Sequence, residues 1–139
     1  MTKSKILVAL DGTERSMDSI NWLKKFFSKE DTEVTLIHVI ETIYNGEAES
    51  IAELSKLEIN KGGSKKILDE ASSILKGYKV HKLSAHGNIA DRILQEAKEG
   101  NYDMMIMTKS SVRGISRVIG SVTNKVIHHS EVAVVVVPE

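Results

Sequence analysis

Residues 104–138 read MMIMTKSSVRGISRVIGSVTNKVIHHSEVAVVVVP, and this stretch decides the fold. Met104-Met105-Ile106-Met107 is a short continuous apolar run, as expected of a strand buried on both faces. Val132-Ala133-Val134-Val135-Val136-Val137 is a second such run, rich in β-branched residues. Between them, Gly120 to His129 is expected to form a helix. Strand, helix and strand in that order make a parallel crossover unit. Its loop, Thr108–Ser121, is rich in Gly and Ser and basic: no acidic residue falls between Asp103 and Glu131, whereas Lys109, Arg113, Arg117 and Lys125 do. A unit of this kind can hold an anion on the backbone N–H groups at the helix N-terminus.

The same pattern extends back to the N-terminus. Lys5–Leu10 is an apolar strand ending at Asp11-Gly12, and Thr13 is placed to cap a helix with Met17, Ile20, Leu23, Phe26 and Phe27 on one face. Glu33–Val39 is the second strand, and Glu41–Ser50 is polar, as a surface loop would be. A helical pattern then runs from Ile51 through Leu54, Leu57, Ile67, Leu68, Ala71, Ile74 and Leu75. Gly62-Gly63 is expected to break or loosen it, and Gly77 to end it. Tyr78–Ser84 alternates apolar and polar residues, as a half-exposed edge strand does. Asn88 or the residues just after it begin a helix with Ile89, Ile93, Leu94 and Ala97 inward, closed by Gly100, and Asp103–Met107 is the fourth strand. The order β-α-β-α-β-α-β-α-β predicts an open, doubly wound five-stranded parallel sheet with helices on both faces and right-handed crossovers. With no internal repeat and no low-complexity linker, residues 1–139 are expected to form one α/β domain.

Lys+Arg and Asp+Glu both number 19, for a formal net charge of zero. That excludes the basic excess of a general nucleic-acid or membrane-surface protein. Without cysteine there is no disulfide, thiol chemistry or Cys-based metal site, and with no paired His motif no metal site is expected. The apolar run after Met1-Thr2-Lys3-Ser4-Lys5 is too short for a signal core or a membrane span, so a cytoplasmic protein is expected.

The phosphate motifs with strong physical specificity are missing: there is no G-x-x-x-x-G-K-[ST] and no G-x-G-x-x-G after the first strand. Gly62-Gly63-Ser64-Lys65-Lys66 lies inside a helical pattern and follows no strand. A phospho-acceptor receiver would need an acidic residue after strand three, where Ser84-Ala85-His86 stands instead. A flavin carrier would need a hydroxyl-rich loop at Asp11–Ser16 and aromatic walls, whereas Trp22, Phe26 and Phe27 read as core. His38 and His81 lie in strands, His128 and His129 end a helix, and His86 falls near the expected crevice without a recognisable catalytic partner.

Several segments together resemble the universal stress protein family. Val8-Ala9-Leu10-Asp11-Gly12-Thr13-Glu14 is similar to the family's V-A-x-D-G-S-E opening, and Leu36-Ile37-His38-Val39-Ile40 to its second strand. Gly87-Asn88-Ile89-Ala90-Asp91-Arg92-Ile93 is similar to its G-x-P/I-A-x-x-I segment. Tyr102–Met107 and Gly120–Ile127 resemble the two halves of its last βαβ unit. The resemblance covers essentially the whole chain. It implies an adenine nucleotide alpha hydrolase-like fold with strand order 3-2-1-4-5, in which the carboxyl ends of strands one and four form a crevice at the topological switch point.

The resemblance also implies site residues. Asp11 and Val39 would lie on the adenosine side and Ser111, Arg117, Gly120 and Ser121 on the phosphate side, with Gly12, Thr13, Thr108 and Val122 completing the site; the resemblance leaves the cofactor open, with ATP one possibility. The family's ATP-binding members carry G-x2-G-x9-G-[S/T]. This chain has Thr108-x2-Ser111-x8-Gly120-Ser121, one residue shorter and without the first two glycines. Glycine permits the positive φ and close backbone approach that a phosphate needs, and a β-branched Thr resists them. The expectation is therefore a degenerate nucleotide site in a regulatory or interaction protein of the stress response, with a protein partner that the sequence does not name. The alternative is an ATP-binding switch that is at most a very slow ATPase. No residue set for an efficient enzyme, and no catalytic residue, is recognised. The family's pairing of the last strand across a two-fold axis implies a homodimer through Val132–Val137.

Overall fold

The computed structural model describes residues 3–42, 51–109 and 119–138, with the backbone alone for 51–61. In chain order the elements are β1 (Ser4–Leu10), a 3-10 turn (Glu14–Met17), α1 (Asp18–Phe26), β2 (Thr32–Glu41) and α2 (Ile51–Ile74). There follow β3 (Lys79–Gly87), α3 (Ile89–Glu99), β4 (Met104–Thr108), α4 (Ser121–His129) and β5 (Ala133–Val137). The strands form one sheet in the order β3-β2-β1-β4-β5, every pairing parallel.

The central strand explains why both faces are covered. Along β1, alternate side chains point to opposite sides, and Ile6 to Leu10 are all buried. Ile6, Val8 and Leu10 enter one core layer with Ile20 and Leu23 of α1, Leu68 and Ala71 of α2, and Leu75 just after it. Leu7 and Ala9 enter the other with Ala90, Ile93 and Ala97 of α3 and Val126 of α4. The continuous apolar runs are thus a consequence of two helical layers. β1 pairs with β2 on one side and β4 on the other, so the chain reverses its direction of winding there and leaves a gap at the carboxyl ends.

Four sequence expectations need correction. Gly62-Gly63 neither breaks nor interrupts α2, which is helical from Ile51 to Ile74. Among the described residues nothing lies against either glycine, and the buried positions Ser64, Leu68 and Ala71, with Leu75 just past the helix end, hold the helix to the sheet. Phe26 does not point inward: it is 58% exposed and rests on Trp22 at a ring-centroid distance of 4.7 Å. Its position on the helix lies about a quarter-turn from the stripe set by Ile20 and Leu23. Phe27, already in extended backbone, turns inward in its place. Glu41 belongs to β2, since it pairs with Gly87. Gly120 is the N-cap of α4 and not its first helical residue. The expected loop residues 43–50 lie outside the described residues, as do the side chains of Leu54 and Leu57.

Candidate functional site

At the switch point the structure forms a cavity of about 180 Å³. Its walls are the ends of β1 (Ala9, Leu10, Asp11) and β4 (Met107, Thr108), the first turns of α3 (Ile89, Ile93) and the start of α4 (Gly120 to Thr123). Local chemistry sets each wall. Asp11 Oδ1 accepts two hydrogen bonds from Thr13, from its N–H at 2.9 Å and its Oγ1 at 2.6 Å. Gly12 between them has φ +86°, and a Cβ there would stand 2.8 Å from Ile67 Cδ1. The backbone conformation favours glycine at that position, and a Cβ would also have to displace the tip of the Ile67 side chain. Thr13 then caps the 3-10 turn, its Oγ1 accepting from Ser16 N–H and its carbonyl from Ser16 Oγ at 2.8 Å.

The α4 side is closed by a latch. Thr123 Oγ1 donates to the Thr108 carbonyl at 2.9 Å, both residues being buried. Gly120 N–H donates to the Lys109 carbonyl at 2.9 Å, and Lys109 N–H to the Val137 carbonyl at 3.0 Å. The two ends of the loop leaving β4 are thereby held against each other. Gly120 is in extended backbone and offers α4 no side-chain cap. The first N–H groups of a helix lack intrahelical partners and carry the positive end of its dipole, and the residues of that first turn, Ser121 to Thr123, line the cavity.

Of the residues expected to bind a nucleotide, Asp11, Thr108, Gly120, Ser121 and Val122 meet around this one cavity. Gly12 and Thr13 shape its rim through Asp11 but do not line it. Val39 is buried in the core layer with Ala9 and Ala85, also away from the lining. Ser111, Arg117 and Arg113 fall outside the described residues. Lys125, part of the basic stretch in sequence, is ion-paired with Asp91 at 2.7 Å. His86 does not belong to this cavity. It lies on β3, in a separate groove beside α2 lined also by Lys65, Leu68, Asp69, Lys82 and Ser84.

Sequence reasoning missed the Thr123 latch, which carries no motif. It also missed the role of His38. His38 Nδ1 lies 2.7 Å from Ser64 Oγ, which lies 2.7 Å from Ser84 Oγ. Burial lowers the His38 pKa, against an opposing pull from the Asp11 carboxylate. No group of three or more His, Asp or Glu among the described residues is arranged to hold a metal.

The model of the universal stress protein family matches residues 3–138. The chain belongs to the universal stress protein family. A relative, universal stress protein YxiE of Bacillus subtilis (strain 168), is 26% identical over 146 residues, covering 96% of this chain and 98% of its own. Among solved structures, hypothetical protein MJ0577 superposes with a TM-score of 0.77 at 27% identity, covering 100% of this chain and 98% of its own. A universal stress protein in complex with cAMP gives a TM-score of 0.74 at 20% identity, with 99% and 98% covered. A family protein from Arabidopsis thaliana with AMP bound gives 0.68 at 21% identity, with 96% and 90% covered. These likenesses establish the strand order and helix placement of the universal stress protein fold.

Proposed function

We propose that this universal stress protein is a cytoplasmic, homodimeric regulatory module of the stress response, and that its switch-point crevice is a reduced adenine-nucleotide site. The single observation behind this reading is the latch at Thr108. The position where a triphosphate-wrapping loop would have its first glycine holds a buried threonine at the end of β4, with its carbonyl already bonded to Thr123. Backbone that is committed to a strand cannot also curl around phosphates. The uncapped start of α4 remains, and it suits a single phosphate group. The apolar walls Ile89, Ile93, Met107 and Val122 suit a flat base. That solved relatives in this fold are complexes with cAMP and AMP supports the choice of nucleotide. Turnover is not part of the reading. Asp11 is the one ionisable side chain among the described lining residues, and Thr13 already occupies one of its oxygens.

A second reading, an ATP-binding switch, draws on the same uncapped helix terminus. Calorimetric titration at physiological salt separates the two, after heat-denatured protein has been assayed for released adenine nucleotide. We expect AMP or cAMP to bind in the micromolar range and Asp11→Ala to weaken this by about tenfold, the value of a charge-assisted contact. ATP binding tighter than AMP would favour the switch. Absence of binding by all three would leave the interaction role without a nucleotide.

A further inference from the structure

The polar chain under α2 leads away from the switch-point crevice and ends in the open groove on β3. Lys82, Ser84 and His86 alternate along β3 on the side facing α2, and with Lys65, Leu68 and Asp69 they line a groove of about 430 Å³. Lys65 and Lys82 both reach Asp69, at 2.6 Å and 2.9 Å, so the rim carries two ammonium groups around one carboxylate. Ser84 is exposed in this groove. Behind it, Ser64 is 1% exposed, 2.7 Å from Ser84 Oγ and 2.7 Å from His38 Nδ1. With His38 neutral and its proton on Nε2, Nδ1 accepts, and donation runs Ser84 to Ser64 to His38. Ser64 is sealed from water, so a proton leaving Ser84 has a continuous path to a base.

We propose that Ser84 is a nucleophilic serine and a site of covalent acylation, accepting the acyl group of a small, negatively charged thioester. Ser64 and His38 act through it as positioning residues. Ser84 Oγ attacks the thioester carbonyl carbon, the Ser84 proton passes to Ser64 Oγ and the Ser64 proton passes to His38 Nδ1. The C–S bond breaks and the thiolate departs. The imidazolium of the half-buried His38 releases a proton to solvent and the thiolate takes one up. Leu68 supplies an apolar floor for the acyl chain, and Lys65 and Lys82 attract its charge. Ordinary exposed serines in the same molecule serve as internal controls: Ser73 donates to the Glu70 carbonyl and Ser28 to the Asp31 carboxylate, neither of which leads to a histidine.

The test treats the full chain with a fluorophosphonate probe, whose P–F bond breaks along the same proton path, and maps the label by peptide mass spectrometry. An aryl thioester bearing a terminal carboxylate, and its neutral acetyl counterpart, follow. We expect Ser84 to be labelled ahead of Ser73 and Ser28. Ser64→Ala and His38→Gln should slow labelling by at least about tenfold, toward the low end of what a positioned base contributes. Lys82→Gln should slow the carboxylate-bearing thioester and spare the neutral one. The wild-type rate should also fall as His38 takes up a proton on acidification, a readout independent of any variant. Asp11 faces His38 from the loop after β1, and Lys65, Asp69, Lys82 and His86 surround Ser84; the fall should persist in His86→Gln. Ser84 labelling no faster than Ser73, or unchanged in folded Ser64→Ala, overturns the proposal.

Discussion

Gly12 follows the end of β1, and His38 lies close to it on β2, beside Leu10; each makes a separate demand on the surrounding structure. Gly12 holds φ +86° with Ile67 pressed against the place of a Cβ. Gly12→Ala should therefore lose more than about 1 kcal/mol in urea denaturation, because strain and overpacking add. Ile67→Ala in the same chain should restore only the packing part. For His38 the sign follows from burial. Desolvation lowers its folded pKa below the unfolded value of about 6.5, so the unfolded chain binds the extra proton between those two values. Its contribution to stability is full above the unfolded pKa and is lost as pH falls through it toward the folded pKa. Thermal midpoints measured from neutral to mildly acidic pH should decline in the wild type, and the decline should be shallower in His38→Gln.

The elements are held by a few anchor points. α2 spans 24 residues and survives a glycine pair because Ser64, Leu68 and Ala71 are buried on one face, with Leu75 buried just past its end. Propensity alone argued for a break, but docking to β2 and β3 outweighs it. Since no atom of the described residues lies within 4 Å of a Cβ at Gly62 or Gly63, Gly62→Ala and Gly63→Ala should each stabilise the fold by about 0.5–1 kcal/mol, measurable as a higher denaturation midpoint at unchanged slope. A fall in stability would mean that the glycines serve a close approach absent from this conformation. At the other layer, the Thr123 hydroxyl ties α4 to the last residue of β4. Thr123→Val keeps the shape and removes that bond, leaving the buried Thr108 carbonyl without it. A loss of about 1–3 kcal/mol is expected.

In the molecule as a whole, β5 is an edge strand of the sheet, with no further strand beside it among the described residues. β5 pairs with β4 on one side, its outer residues Val134 to Val136 are only half-buried, and Ile127 on the preceding helix is 40% exposed. Long apolar edges promote association unless they are covered, and a two-fold partner strand is the cover we propose. Sedimentation at micromolar concentration should give a dimer for the wild type. Val136→Lys, a charge placed on the edge at a residue outside both core layers, should give a monomer with its fold intact. A wild-type monomer would remove the dimer.

The alternation of apolar runs with helical stripes determined the parallel sheet, its five strands and both helical layers, because burial on two faces leaves a signature in each strand. The Asp11-Gly12-Thr13 turn and the Gly120-Ser121 helix start were legible for the same reason: a turn or a cap needs particular residues at adjacent positions. The tertiary structure alone decided the contacts between segments far apart in sequence. Thr108 and Thr123 form the latch across the loop that Thr108–Ser121 encloses. His38, Ser64 and Ser84 come from three different elements, and no spacing in the chain announces them. Such bonds depend on how strands and helices are laid side by side, and side-chain periodicity records only which face of each element is buried.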